Sequence, residues 1–234
     1  MKERILFTLF VVLLVFHLPS TTMAQELRPD LMYCGPSDRT GADLYLGTGP
    51  FNEVSGCVPD ADTQALLVTL GGTITGNGPA WLAYLNAGGV IISSAFVTNE
   101  IYFEIFDVFY PDTFPFGACN NHAMPSLKIN ETEPFWVANP GLTESPADAS
   151  CGSDNAAIAA GEAEVTALGG LVGTIPVVVS FAERPQGAGV FWLLEADWPG
   201  NTATVTEDSK IFMGALIANG AEAPSLIFED GFED

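Results

Sequence analysis

The run from Pro79 to Phe96 constrains the fold more than any other part of the chain. Pro-Ala-Trp-Leu-Ala-Tyr-Leu-Asn-Ala puts Trp81, Leu82 and Leu85 on one face at helical spacing. Pro79 suits the first turn, where its missing N–H is harmless, and Gly88 or Gly89 supplies the left-handed stop. Val90 to Ser93 follows at once, an apolar run of the kind found in strands buried on both faces. A short helix feeding straight into such a strand predicts a layered α/β domain.

The same alternation continues in both directions. Leu31 to Cys34 reads as a first strand, and Ala65 to Leu70, apolar except for Thr69, as a buried one ended by Gly71-Gly72. Thr98 or Asn99 is placed to cap the next helix, with Glu100 in its first turn, Ile101, Ile105 and Val108 facing inward and Pro111 closing it. Ser126 to Glu131 reads as a strand, Asn139-Pro140-Gly141 as a turn, and Asn155 to Leu168 as a helix stopped by Gly169-Gly170. Pro176 to Phe181 and Val190 to Glu195 form a hairpin around a turn from Pro185 to Gly189, giving the sheet an antiparallel edge. Thr206 caps a last helix whose apolar face is Ile211, Phe212, Ala215 and Leu216. The expectation is a doubly wound α/β fold: a mostly parallel sheet, helices on both faces and a C-terminal antiparallel hairpin.

Residues 1–24 have the layout of a secretory signal peptide. Lys2 and Arg4 precede an apolar core from Ile5 to Leu18, and Thr22-Met23-Ala24 makes a small-residue exit. An uncleaved N-terminal anchor is the alternative. Residues 25–221 are read as one domain, long enough at about 200 residues to bury some 70% of its unfolded surface. Residues 222–234 are an acidic tail, and Ile227 to Asp234 looks like the Gly-Phe-Glu endings of some exported bacterial proteins.

Net charge is −22 with only seven Lys and Arg in the chain. So few cations cannot track a phosphate backbone, which argues against nucleic acid, and anionic membrane surfaces should repel the domain. The expected location after signal cleavage is therefore off the membrane: periplasmic, cell-surface or secreted.

Four cysteines, Cys34, Cys57, Cys119 and Cys151, imply disulfides in an exported chain. Three connectivities are open. Cys34–Cys57 with Cys119–Cys151 is the expectation, because each bond closes a turn-rich stretch. A metal site is disfavoured, since no CxxC pair occurs and His122 is the one histidine beyond the signal segment.

Ala65 to Ile105 resembles the centre of the class I glutamine amidotransferase-like domains, a flavodoxin-like superfamily that includes trehalose-utilisation-type proteins. The matching elements are Ala-Leu-Leu-Val-Thr-Leu, Trp-Leu-Ala-Tyr-Leu, the Gly-Gly before Val-Ile-Ile-Ser, and Asn-Glu opening the next helix. The closing strand from Gly189 to Leu194, with a helix after Asp208, is similar to that family's ending. In catalytic members a cysteine sits on a strand-to-helix elbow, with a histidine and a glutamate delivered later. The elbow aligns with Ser94-Ala95-Phe96, nearest Ala95, and the His-x-Glu region aligns with Glu195-Ala196-Asp197-Trp198. An alanine methyl cannot attack a carbonyl, so the resemblance implies the scaffold without its glutaminase chemistry.

The candidate ligand site is the set Gly71, Gly72, Ser94, Asn99 and Glu100, at the strand ends where open α/β sheets bind ligands. Weak catalytic candidates are Ser94 as nucleophile, His122 as base and Glu195 as carboxylate. Ser94 lacks the Gly-x-Ser-x-Gly elbow, so the alternative is that it merely ends a strand. Glu100 with Glu104, or Glu195 with Asp197, would suit a glycosidase if held about 5–9 Å apart. Asp60 and Asp62 alternate without the glycine and closing glutamate of a calcium loop, and Asn130-Glu131-Thr132 matches a glycosylation acceptor. No cofactor is implied. The leading expectation is a non-catalytic domain binding a small molecule or surface partner. The alternatives are a glycoside or ester hydrolase in the same cleft, and an interaction module using the aromatic loop from Phe109 to Phe116.

Overall fold

The computed structural model describes residues 30–35, 52–69, 71–93, 97–108, 126–142, 144–145, 153–154, 164–171, 178–194 and 207–218. The expected signal segment, the acidic tail, the stretch from Phe109 to Phe116 and both Cys119 and Cys151 lie outside the described residues. Thr206 and Asp197 lie outside them as well.

The first strands are β1 (Asp30–Cys34), β2 (Asn52–Ser55), β3 (Thr63–Val68) and β4 (Val90–Ser93). Later in the chain come β5 (Ser126–Lys128), β6 (Glu144–Ser145), β7 (Ser153–Asp154), β8 (Thr166–Leu171), β9 (Val178–Gln186) and β10 (Gly189–Leu194). They form one sheet in the order β2-β1-β3-β4-β10-β9-β8-β5-β6, with β7 also against β9. From β2 through β10 every pairing is parallel, in the flavodoxin-like order with its reversal between β1 and β3. The expected α/β class and the β9–β10 hairpin are both present.

Burial follows the period of two that a strand imposes. Leu31, Tyr33, Ala65, Leu67, Val90, Ile92, Val190, Trp192 and Leu194 point to one face. Helix α4 (Glu207–Ile217) covers that face with Phe212, Met213, Leu216 and Ile217, joined by Phe135 and Trp136 of the short α3 (Pro134–Ala138). Met32, Leu66, Val68, Ile91, Phe191 and Leu193 point to the other. There α1 (Gly78–Asn86) packs Trp81 and Leu85, and α2 (Thr98–Phe106) packs Ile101, Tyr102 and Ile105. Three buried indoles each give their N–H to a backbone carbonyl: Trp81 to Cys57, Trp136 to Leu168 and Trp192 to Leu216, at 2.7, 2.9 and 2.9 Å.

Four local expectations need correction. Residues 166–168, expected to end a helix, lie in β8, because β9 on one side and β5 on the other offer that segment two antiparallel partners. The hairpin is not an edge: β8, β5 and β6 continue the sheet beyond it. Its turn is also tighter than expected, with Gly187 and Ala188 between strands that reach Gln186 and resume at Gly189. Helix α2 stops at Asp107, which takes a left-handed φ of 56°, so Pro111 is not its terminator and Val108 is exposed instead of core.

Among the described residues, no helix is long and apolar enough to cross a membrane.

Candidate functional site

Because β1, β3, β4 and β10 run parallel, the segments after their last residues share one edge of the sheet. That edge receives Gly35, Thr69, Gly71, Gly72, Thr98, Asn99 and Glu100. The expected ligand residues Gly71, Gly72, Asn99 and Glu100 are therefore brought to one side, with Gly71 and Glu100 exposed and the other two half-buried. Ser94, His122 and Glu195, the weak catalytic candidates, lie outside the described residues.

The loop after β3 is held from beneath. Thr69 donates its N–H to the Cys34 carbonyl at 2.9 Å and its hydroxyl to the Gly35 carbonyl at 3.2 Å. Gly72 donates its own N–H back to the Thr69 carbonyl at 3.0 Å, so that amide is already engaged inside the protein. Gly72 also lies against Cys34 so closely that a Cβ would overlap the Cys34 carbonyl and sit 2.9 Å from its sulfur. The expected Cys34–Cys57 disulfide is present and closes the outer side of this rim. Where the strand order reverses, the backbone of Cys34, Gly35, Thr69 and Gly72 is thus in close contact beside the disulfide.

Next to the end of β4, two buried hydroxyls form a clasp. Ser93 and Thr98 are fully or almost fully buried, with their oxygens 2.9 Å apart. Ser93 Oγ accepts the Leu194 N–H at 3.0 Å and stands 3.2 Å from the Trp192 carbonyl, to which it can donate. Thr98 donates to the Leu194 carbonyl at 3.4 Å. The end of β4, the start of α2 and the end of β10 are tied by this one network. It also corrects the expected cap: Val97 is the N-cap of α2, and the Thr98 hydroxyl turns into the clasp instead of onto the helix amides.

The paired-carboxylate and calcium readings fare differently once the partners are seen. Glu104 accepts the Gly76 N–H at 2.6 Å and so pins the loop ahead of α1, while Glu100 on the same helix is exposed. Asp60 Oδ1 closes the turn before β3, accepting from the Asp62 N–H, the Thr63 N–H and the Thr63 hydroxyl at 3.1, 3.0 and 2.9 Å. Those bonds hold its carboxyl below the ordinary range. Asn130 is exposed and folds its carbonyl onto the Thr132 N–H and hydroxyl at 3.2 and 2.7 Å. Away from the rim, burial lifts the Tyr84 phenol to about 12, with its hydroxyl donating to the Thr63 carbonyl at 3.0 Å.

Sequence reasoning missed Ser93, Thr98 and Arg184. For the first two, the available signal was a serine at the end of an apolar strand with a threonine five residues on. Arg184 on β9 is buried, its guanidinium carbon 3.2 Å from the Phe106 ring centre and 4.7 Å from that of Tyr102. Its one ion pair among the described residues is to exposed Glu164 at 3.7 Å, and burial lowers its pKa.

No protein-family model matches the chain, and no curated protein does. Solved structures do. A chain of PurLQS from Thermotoga maritima superposes with a TM-score of 0.52 at 12% identity, over 82% of this chain and 97% of that one. A ThuA-like protein from Bacteroides uniformis gives 0.52 at 12% identity, over 88% of this chain and 93% of that one. At such identity the likeness concerns the backbone alone and shows a shared doubly wound, flavodoxin-like α/β fold.

Proposed function

We propose that the chain is an exported, non-catalytic amidotransferase-like domain that binds a small molecule or a surface partner along the C-terminal edge of its parallel strands. The observation that carries this reading is the engagement of the Ser93 and Thr98 hydroxyls with β10. A hydroxyl becomes a nucleophile when a base takes its proton; Ser93 faces the Thr98 hydroxyl and the Trp192 carbonyl, neither of which is a base. Ala95 at the aligned nucleophile position agrees with this, as does the engaged Gly72 amide. The scaffold then serves recognition, with Gly71 and Glu100 exposed at the rim and Asn99 half-buried beside them. Export rests on the signal-like residues 1–24.

The purified chain should leave chromogenic glycosides and esters unchanged. Thermal-shift screening of a small-molecule panel should give hits whose stabilisation disappears in Glu100→Lys. Turnover that is lost in Ser94→Ala or Glu195→Gln would replace this reading with the hydrolase. Cell fractionation with mass measurement of the mature N-terminus tests export, and a chain retained inside the cell from Met1 would refute that part.

A further inference from the structure

We propose that the Cys34–Cys57 disulfide is a redox-responsive latch on the rim, whose reduction frees the Gly71-Gly72 turn while the sheet stays folded. Cys34 is the last residue of β1, and Cys57 lies two residues beyond β2, its parallel neighbour. Each end of the bond holds a different part of the rim. The Cys34 carbonyl takes the Thr69 N–H, and the Cys34 side chain packs against Gly72 with no space for a methyl between them. The Cys57 carbonyl takes the Trp81 indole N–H, which anchors the first turns of α1. The bond therefore sits between the loop after β3 and the helix that follows it. The β1–β3 ladder and the β4–β10 pairing are hydrogen-bonded independently of it.

The two sulfurs differ in access. Cys34 is fully buried and Cys57 half-buried, so an incoming thiolate reaches Cys57. With a dithiol reductant, one thiolate attacks Cys57 Sγ, the sulfur–sulfur bond breaks, and Cys34 leaves as a thiolate that is protonated in its buried surroundings. The second thiolate of the reductant then displaces Cys57, and the reductant departs as its own disulfide. Two electrons have passed from reductant to protein. What remains is a rim held by hydrogen bonds and packing alone.

The test is hydrogen exchange on the full chain, oxidised and in dithiothreitol, read at Thr69, Gly72 and Leu194. Expected is acceleration at Thr69 and Gly72 by about tenfold or more, with Leu194 unchanged. A Cys34→Ala/Cys57→Ser double variant, measured without reductant, leaves Cys119 and Cys151 untouched and should reproduce the effect. Unchanged exchange at Gly72 would overturn the latch, as would equal acceleration at Leu194, which means global destabilisation. Should the double variant fail to fold, the dithiothreitol arm alone decides. None of these readouts requires a ligand, so failure of the binding proposal and failure of the latch are separately visible.

Discussion

Replacing Ser93 by alanine removes one oxygen from the middle of the molecule, and its cost can be worked out bond by bond. Ser93 is 0% exposed, so water cannot step in for the lost hydroxyl. The Leu194 N–H, which donates to Ser93 Oγ at 3.0 Å, is left without that acceptor on a strand packed on both sides. Thr98 loses its 2.9 Å partner but keeps the longer bond to the Leu194 carbonyl. An orphaned buried donor costs about 1–3 kcal/mol and a lost hydrogen bond about 1 kcal/mol, so Ser93→Ala should destabilise by roughly 2–4 kcal/mol. Thr98→Val, which keeps the shape and removes only a hydroxyl, should cost about 1–2 kcal/mol. Since the two share a bond, the double variant should cost less than the sum, by about 0.5–1 kcal/mol. Equilibrium urea unfolding of the oxidised protein reads all three, with an unchanged slope as the sign that only stability moved. A loss below about 0.5 kcal/mol for Ser93→Ala, or strict additivity, would refute the clasp as the tie between β4, α2 and β10.

Three further outcomes follow from the same geometry. Gly72→Ala should cost about 3 kcal/mol, because the Cys34 carbonyl sits in a strand and cannot retreat. Gly76→Ala, at φ +88° with nothing within 4 Å, should cost only the left-handed strain of about 1–2 kcal/mol; equal losses in urea unfolding would contradict this. Burial, with Glu133 adding repulsion, raises the Glu183 carboxyl above its ordinary 4.5, so the folded state holds a proton that the unfolded chain releases. Stability contributed by this group is therefore full below the ordinary glutamate range and lost as pH rises through the folded value; Glu183→Gln should be more stable than the parent at neutral pH, with the advantage shrinking on acidification, and an advantage independent of pH in thermal melts would count against it. Arg184→Met, which keeps an unbranched apolar side chain in that buried position and drops a charge whose one ion pair among the described residues is to exposed Glu164, should match or exceed the parent in urea midpoint, whereas Arg184→Ala should fall by about 2 kcal/mol or more; the reverse order would mean that the charge itself stabilises the site.

How far the chain could be read depended on where its structure is locally determined. Helix α1 and strand β4 were legible because a proline, a helical stripe and a positive-φ glycine, Gly88 at +104°, agree with one another over a few residues. The Cys34–Cys57 bond was legible because an expected strand ends at Cys34 and a turn-rich stretch runs on to Cys57, although β2 within that stretch was not expected. Residues 166–168, at the end of the expected helix, were not, since β8 is fixed there by partners distant in sequence. Propensity lost to pairing there. The hairpin and a strand beginning at Ser126 were seen, but β8 between them was not, and β6, with two residues, leaves almost no periodic trace.

The candidate site shows the same division. Gly71, Gly72, Asn99 and Glu100 could be assigned to one edge because a parallel strand order sends every loop after a strand to the same side. The partners that decide what those residues do were not assignable. Ser93 and Thr98 meet Leu194 across about a hundred residues of chain, and Gly72 meets Cys34 across 38. A sequence pattern can place a hydroxyl at a strand end; whether that hydroxyl is poised for chemistry or used up in joining strands depends on contacts made only after folding. In this chain the Ser93 and Thr98 hydroxyls join strands. The edge is stiffened by these bonds to β10 on one side and by a disulfide on the other. A rigid rim of that kind suits recognition, since a surface fixed in advance loses little freedom on binding.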